Sequence, residues 1–223
     1  MVYPSINQDN FTSWIKGSEF TISNLIGVNN VTINSMMINR LAIQDYHHFH
    51  MPCTGTLENI TIFGSDYHSV SPSIINTPIN VFTDNYRHIY QFKEADGNIF
   101  FIVAIGALII GSIEHIMTIG NTYKSGDRIG NFAVGGSTVV VLFQRSIFFD
   151  PDLTYYSNMN IESYVKVGDE IGSTINVRNI IYPQHYHIKN YDSLSIDEKS
   201  AELIKIVLVI AMLAIFIKVF VLK

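Results

Sequence analysis

The chain has 223 residues, a net charge of −5, 15% charged residues and 48% hydrophobic residues. That is long enough for one domain with a sizeable core. The absence of a basic tract before the C-terminus excludes nucleic acid as a main partner, because phosphate binding needs clustered Lys and Arg. Cys53 is the only cysteine, so an intrachain disulfide and a cysteine-based zinc site are excluded as well.

In chain order, Met1-Val2-Tyr3-Pro4-Ser5 has neither a basic start nor an apolar stretch, and no signal peptide is read there. Trp14 to Leu25 reads as a pair of strands or helices around Lys16-Gly17-Ser18. Short strands rich in Val, Ile and Phe are predicted at Val31 to Ile33, Leu57 to Ile62, Ile89 to Phe92, Ile99 to Ile105, Leu108 to Ile113 and Val139 to Phe143, with Gly, Asn, Asp and Pro between them. Ala95-Asp96-Gly97-Asn98 reads as a hairpin turn. Gly120 to Gly130 is turn-rich, and Ile161 to Val167 with Glu170 to Ile175 reads as a last strand pair around Gly168-Asp169. The pattern predicts a mainly β (α+β) fold.

Beyond Val177 the composition turns polar, with Tyr and His, and reads as a linker to about Ser200. Leu203 to Leu222 has the length of a membrane-spanning helix. Ile206 to Ile217 contains no polar residue, and Lys205 and Lys218 sit near the ends, where lysines snorkel toward headgroups. Apolar residues on every face argue against a surface-lying amphipathic helix. The expected organisation is a core over residues 1–176, a linker over 177–200 and a single-pass C-terminal membrane anchor over 201–223, which makes the protein membrane-associated.

Two constellations carry chemistry. Asp45-Tyr46-His47-His48-Phe49-His50-Met51-Pro52 packs three histidines into four positions. On an extended strand His48 and His50 share one face and His47 points to the other. Metal ligation by His47 and His50 is unaccompanied by Asp, Glu or Cys at ligand spacing. A strand edge that happens to be rich in histidine, and proton transfer for a nucleophile distant in sequence, are the other readings. The second constellation, Gly135-Gly136-Ser137-Thr138, runs straight into the apolar Val139 to Phe143. Two glycines tolerate strained backbone and leave the Gly136 carbonyl open, and a serine one peptide bond on can attack it if a base takes the proton. A Gly-Gly-Ser turn before a buried strand is the alternative.

Together these segments resemble the phosphatidylserine decarboxylase family. Residues 45–52 followed by Gly55 are similar to its D-Y-H-R-F-H-x-P-x-x-G motif, and residues 135–138 to its G-G-S-T or L-G-S-T cleavage motif. Asn80-Val81-Phe82-Thr83-Asp84-Asn85 resembles N-V-F-T-E-N. Val103 to Ala107 with Gly111-Ser112-Ile113 resembles V-A-I-G-A and G-S-I, and Lys124-Ser125-Gly126-Asp127 through Gly130 resembles K-K-G-D-E-L-G. Trp14-Ile15-Lys16-Gly17 resembles the entry to the core of the longer eukaryotic type. The likeness covers roughly Val2 to Gly172.

The resemblance implies a barrel-like β core with short helices and a carboxy-lyase that makes its own cofactor. Ser137 would attack the Gly136 carbonyl, cutting the chain between Gly136 and Ser137. A pyruvoyl group would be left at residue 137, and no metal would be needed. The products would be a β chain and an α chain that form a heterodimer or a higher oligomer. The substrate would be phosphatidylserine in a membrane, and the product phosphatidylethanolamine. By the same resemblance His50 matches the base of self-cleavage, and His47 matches the histidine used in decarboxylation; Asp45 supports the loop. Two departures from the pattern matter. The aspartate that the family carries upstream of the W-I-K-G segment is matched by no residue here, Asp9 being nearest in sequence, and His48 stands where arginine is usual. The alternative function is a membrane-anchored, catalytically impaired relative that binds lipid or acts as a scaffold.

Overall fold

The computed structural model describes residues 1–6, 21–42, 44–70, 74, 77, 79–107, 112–133 and 137–174. The chain divides into two compact units, Met1–Tyr186 and His187–Lys223. All described residues fall in the first, so residues 201–223 and the linker lie outside them. No helix among the described residues is long and apolar enough to cross a membrane.

The strands are β1 (Val2–Tyr3), β2 (Ser35–Leu41), β3 (His48–His50), β4 (Gly55–Phe63), β5 (Arg87–Lys93), β6 (Ile99–Ile105), β7 (Ile113–His115), β8 (Thr122–Tyr123), β9 (Arg128–Phe132), β10 (Ser137–Phe143), β11 (Phe148–Phe149) and β12 (Gly172–Ser173). Short helices occupy Ile22–Ile26, Val81–Asp84 and Pro151–Asn158. A seven-stranded antiparallel sheet runs β1-β2-β10-β6-β5-β4-β8, and a three-stranded sheet runs β3-β9-β7. The mainly β expectation holds, but the sheet is open where the resemblance implied a barrel. Its two edges, β1 and β8, are two residues long, too short to complete the staggered ladder that closure requires.

The two faces of the large sheet separate by side-chain parity. Val139, Val141, Phe143, Ala104, Ile102, Tyr90 and Phe92 belong to one core cluster, together with Phe49, Ile113, Ile129 and Phe132 of the small sheet. Val140, Leu142, Val103, Ile105 and Ile89 belong to the other, with Leu25, Ile26, Val81 and Phe82 of the short helices. β6 and β10 are therefore covered on both faces, which is why they read as unbroken apolar runs rather than alternating ones. Two of the short helices, Ile22–Ile26 and Val81–Asp84, are tied down by a buried arginine. Arg87 donates to the carbonyls of Leu25 at 2.9 Å, Asn24 at 2.8 Å and Thr83 at 2.5 Å, groups that short helices leave without an internal partner.

Several expectations shift. The strand predicted at Val31 to Ile33 lies instead at β2, where Ser35, Met36, Met37 and Ile38 are buried; burial between β1 and β10 outweighs the modest β-propensity of Met and Ser. The pair predicted at 161–167 and 170–175 does not form among the described residues. Gly172–Ser173 pairs with Phe148–Phe149 instead, although the turn at Gly168-Asp169 is present, with Gly168 at φ +94°. The turn at 95–98 closes β5 and β6, with Gly97 at φ +90° and Glu94 N–H donating to the Asn98 carbonyl at 2.9 Å. Most of Trp14 to Leu25 and of Leu108 to Ile113 lies outside the described residues.

Within the small sheet, Gly130 leaves room for Phe49, whose ring lies 6.1 Å from that of Tyr90 in the large sheet. A Cβ at Gly130 would lie 2.3 Å from the Phe49 ring and 2.5 Å from the Glu114 carbonyl oxygen, so Phe49 crosses β9 only because position 130 has no side chain. Gly130→Ala is expected to cost about 1–3 kcal/mol through this overpacking, read as a lower urea midpoint at unchanged slope.

Candidate active site

β2 and β10 run side by side, with Ser137 opposite Leu41. After Leu41 the chain turns sharply. Asp45 N–H donates to the Ala42 carbonyl at 2.9 Å, and Ala42 N–H donates to Asp45 Oδ2 at 2.8 Å. This turn carries the chain from the large sheet into β3. On the other side, Phe132 N–H donates to the His47 carbonyl at 2.9 Å, and only four residues separate Phe132 from Ser137 along the chain. Two short chain paths, through Leu41 and through Phe132, thus bind His47 to the start of β10.

Ser137 is 1% exposed, and its Oγ is buried with no hydrogen-bond partner among the described residues. By parity it shares the face of Val139 and Ala104, the face that the small sheet covers. His47 Nε2 is also buried and unpartnered, as are Ser112 Oγ and Thr138 Oγ1. An orphaned buried polar atom costs about 1–3 kcal/mol, and native structures keep few without a reason. Nδ1 of His47 lies 2.7 Å from the Asp45 carbonyl oxygen. A carbonyl only accepts, so the neutral ring carries its proton on Nδ1 and presents a bare lone pair at Nε2.

His50 is placed differently. Nδ1 lies 2.8 Å from the Gly126 carbonyl and Nε2 lies 3.0 Å from the Tyr46 hydroxyl, so both ring nitrogens are engaged. The same turn docks further through Gly126 N–H to Met51 O and Met51 N–H to Asp127 O, each at 2.9 Å, which brings two motifs that are distant in sequence into one unit. His48 lies on the outer face, with Arg128 Nη1 3.4 Å from its Nδ1 and the Tyr46 ring 4.9 Å away. Gly135 and Gly136 lie outside the described residues.

The family description phosphatidylserine decarboxylase matches residues 1–173. This chain belongs to the phosphatidylserine decarboxylase family. It is 38% identical over 169 residues to phosphatidylserine decarboxylase proenzyme 3 of Schizosaccharomyces pombe, covering 74% of this chain and 18% of that protein. It is 37% identical over 186 residues to proenzyme 2 of Oryza sativa, covering 81% and 30%. It is 35% identical over 177 residues to the phosphatidylserine decarboxylase proenzyme of Chlamydia trachomatis, covering 77% and 58%. The chain thus spans between under a fifth and somewhat over half of these phosphatidylserine decarboxylase proenzymes.

One group on the Ser137 face was not singled out from sequence. Tyr86, His88 and Tyr90 alternate along β5 and its entry, and the period of two was the available signal. His88 Nδ1 lies 3.2 Å from the Tyr90 hydroxyl and Nε2 lies 3.0 Å from the Tyr86 hydroxyl. The His115 ring packs edge-on to His88 and Tyr90, at 5.8 and 5.6 Å between centroids. Burial, helped by the neighbouring His115, pushes the His88 imidazole down to about 4. The fold therefore favours neutral His88. That stability is complete above the unfolded value near 6.5 and is lost as pH falls from there toward 4, to at most about 3 kcal/mol. His88→Gln is expected to flatten the acid limb of the urea midpoint between pH 6.5 and 4, relative to the unaltered chain; parallel limbs would remove His88 as the titrating group.

Proposed function

We propose that this chain is a self-processing, pyruvoyl-dependent decarboxylase of phosphatidylserine, forming phosphatidylethanolamine. The reading is carried by one observation, the buried and unpartnered Ser137 hydroxyl at the head of β10 in a chain of this family. A serine that is only structural commonly uses its hydroxyl; this one is buried and has no partner among the described residues, as suits a nucleophile awaiting a base.

Self-cleavage follows from groups that the chain supplies. Ser137 Oγ attacks the Gly136 carbonyl carbon while its proton passes to a histidine. The proton returns to the peptide nitrogen as the C–N bond breaks, leaving an ester. Loss of the Ser137 Cα proton then expels the Gly136 carboxylate, and water displaces the nitrogen as ammonia, leaving the pyruvoyl group on residue 137. That group supplies a ketone which binds the substrate amine and takes up the electron pair left when CO₂ departs.

The resemblance gives the first proton to His50 and the product's proton to His47. We assign the Ser137 proton to His47, because its Nε2 lone pair is free and already oriented by the Asp45 carbonyl, whereas His50 must first release Tyr46. A carbonyl orients an imidazole without the full charge that a carboxylate lends to the imidazolium, so slow processing is expected. Since each molecule is cut once, a slow cut suffices. The sequence of residues 203–222 supports tethering to the membrane in which the substrate resides.

On a denaturing gel the chain is expected to convert to two fragments, the second blocked to Edman chemistry and reactive toward hydrazine. Ser137→Ala should abolish conversion, and His47→Gln should slow it at least about a hundredfold, more than His50→Gln does. The reverse order returns the role to His50. A chain that never converts is the impaired relative and not the enzyme. Deleting residues 203–223 should move the protein from the membrane pellet to the supernatant; continued sedimentation would count against the tether.

A further inference from the structure

The tyrosine–histidine array has a direction. Tyr90 is fully buried, and His88 is the one hydrogen-bond partner of its hydroxyl among the described residues. A buried phenol that only accepts leaves its hydrogen unpaired, so Tyr90 donates to His88 Nδ1. Neutral His88 then carries its proton on Nε2 and donates to the Tyr86 oxygen. The hydrogen of Tyr86 is left over. Tyr86 is half-buried at the open end of the array, and each donor behind it polarises the next.

That spare donor belongs to the face that carries Ser137. Ile105 pairs with both Thr138 and Arg87, and Gly106 N–H donates to the Tyr86 carbonyl at 2.9 Å. One row toward the sheet's end, the order is therefore Ser137, Gly106, Tyr86; the row behind it is Val139, Ala104, His88. Strands are spaced about 4.8 Å apart, so Ser137 and Tyr86 stand roughly 10 Å apart on one face. The sheet between them carries nothing larger than the methyl of Ala104.

We propose that Tyr86 is a substrate-contacting hydrogen-bond donor for an acceptor oxygen of the headgroup, carboxylate or phosphodiester, with His88 and Tyr90 as positioning residues that turn its hydroxyl toward Ser137. This rests on the function proposed above, which supplies a headgroup bearing both kinds of oxygen next to residue 137. An imidazole held neutral by burial and by His115 fits the array, because an imidazolium would donate at both nitrogens and strand the Tyr90 hydrogen.

The test uses the full chain in detergent micelles as the uncleavable Ser137→Ala variant, with ¹⁵N-labelled histidine, titrated with glycerophosphoserine and separately with glycerophosphoethanolamine. Without ligand, His88 is expected in the Nε2–H form; an Nδ1–H form overturns the array's direction and the proposal with it. Glycerophosphoserine should shift the His88 Nε2 resonance. Tyr86→Phe should abolish that shift and weaken headgroup binding about tenfold. A response to glycerophosphoethanolamine as well identifies the phosphodiester as acceptor, and a response to glycerophosphoserine alone identifies the carboxylate. No response to either, or a shift that survives Tyr86→Phe, sinks the proposal. Because the variant never forms the pyruvoyl group, these results are independent of self-cleavage: an unaltered chain that fails to cut overturns the proposed function, whatever the histidine spectrum shows.

Discussion

Everything at the site depends on where β10 sits. It is flanked by β2 and β6 along its length and buried on both faces. A slip by one residue would exchange the side chains to which its two packed faces are fitted and turn Ser137 to the other face. Its first residue is therefore fixed as firmly as its middle. That fixity holds the Ser137 hydroxyl, on the face it shares with Ala104 and Tyr90, away from solvent and without a partner among the described residues. A serine on a loop would have water; this one is positioned by a hydrophobic ladder.

The same logic explains how much could be read from sequence. Leu57 to Ile62, Ile89 to Phe92, Ile99 to Ile105 and Val139 to Phe143 were legible because β-branched and aromatic runs between turn residues describe buried strands well. β2 was not legible, since its two methionines, asparagine and arginine have no strong strand preference and are held by neighbours far away in sequence. β9 was hidden inside the turn-rich stretch for the same reason. The Ser137 and histidine motifs were legible as chemistry, and the alternation of His47 and Phe49 against His48 and His50 followed from strand geometry. What sequence could not show is that one histidine ends with a free lone pair while the other is engaged at both nitrogens. That depends on the Asp45 carbonyl and on a turn at Gly126 brought in from a distant segment.

The departure at His48 also gains a physical context. The family motifs place arginine at position 48 and glutamate at 128, whereas here the residues are His48 and Arg128, with Arg128 Nη1 3.4 Å from His48 Nδ1. Arg128 thus places a cation beside position 48. A guanidinium keeps its charge at any physiological pH.

The burial of β10 has a last consequence for what a cut beside Ser137 would produce. The second fragment would begin with the strand that fills the slot between β2 and β6, both of which belong to the first fragment. Its later residues are stitched across the junction as well: Gln144 accepts from Ile99 N–H, Arg145 pairs with Glu94, Ser157 accepts from Val2 N–H and Glu162 pairs with Arg40. Such a molecule is two chains by count and one by topology. Val139 to Phe143 contribute to both core clusters, so parting the halves would open both and leave β2 and β6 without the strand between them. Scission must then follow folding, because the slot exists only once its occupant is in place.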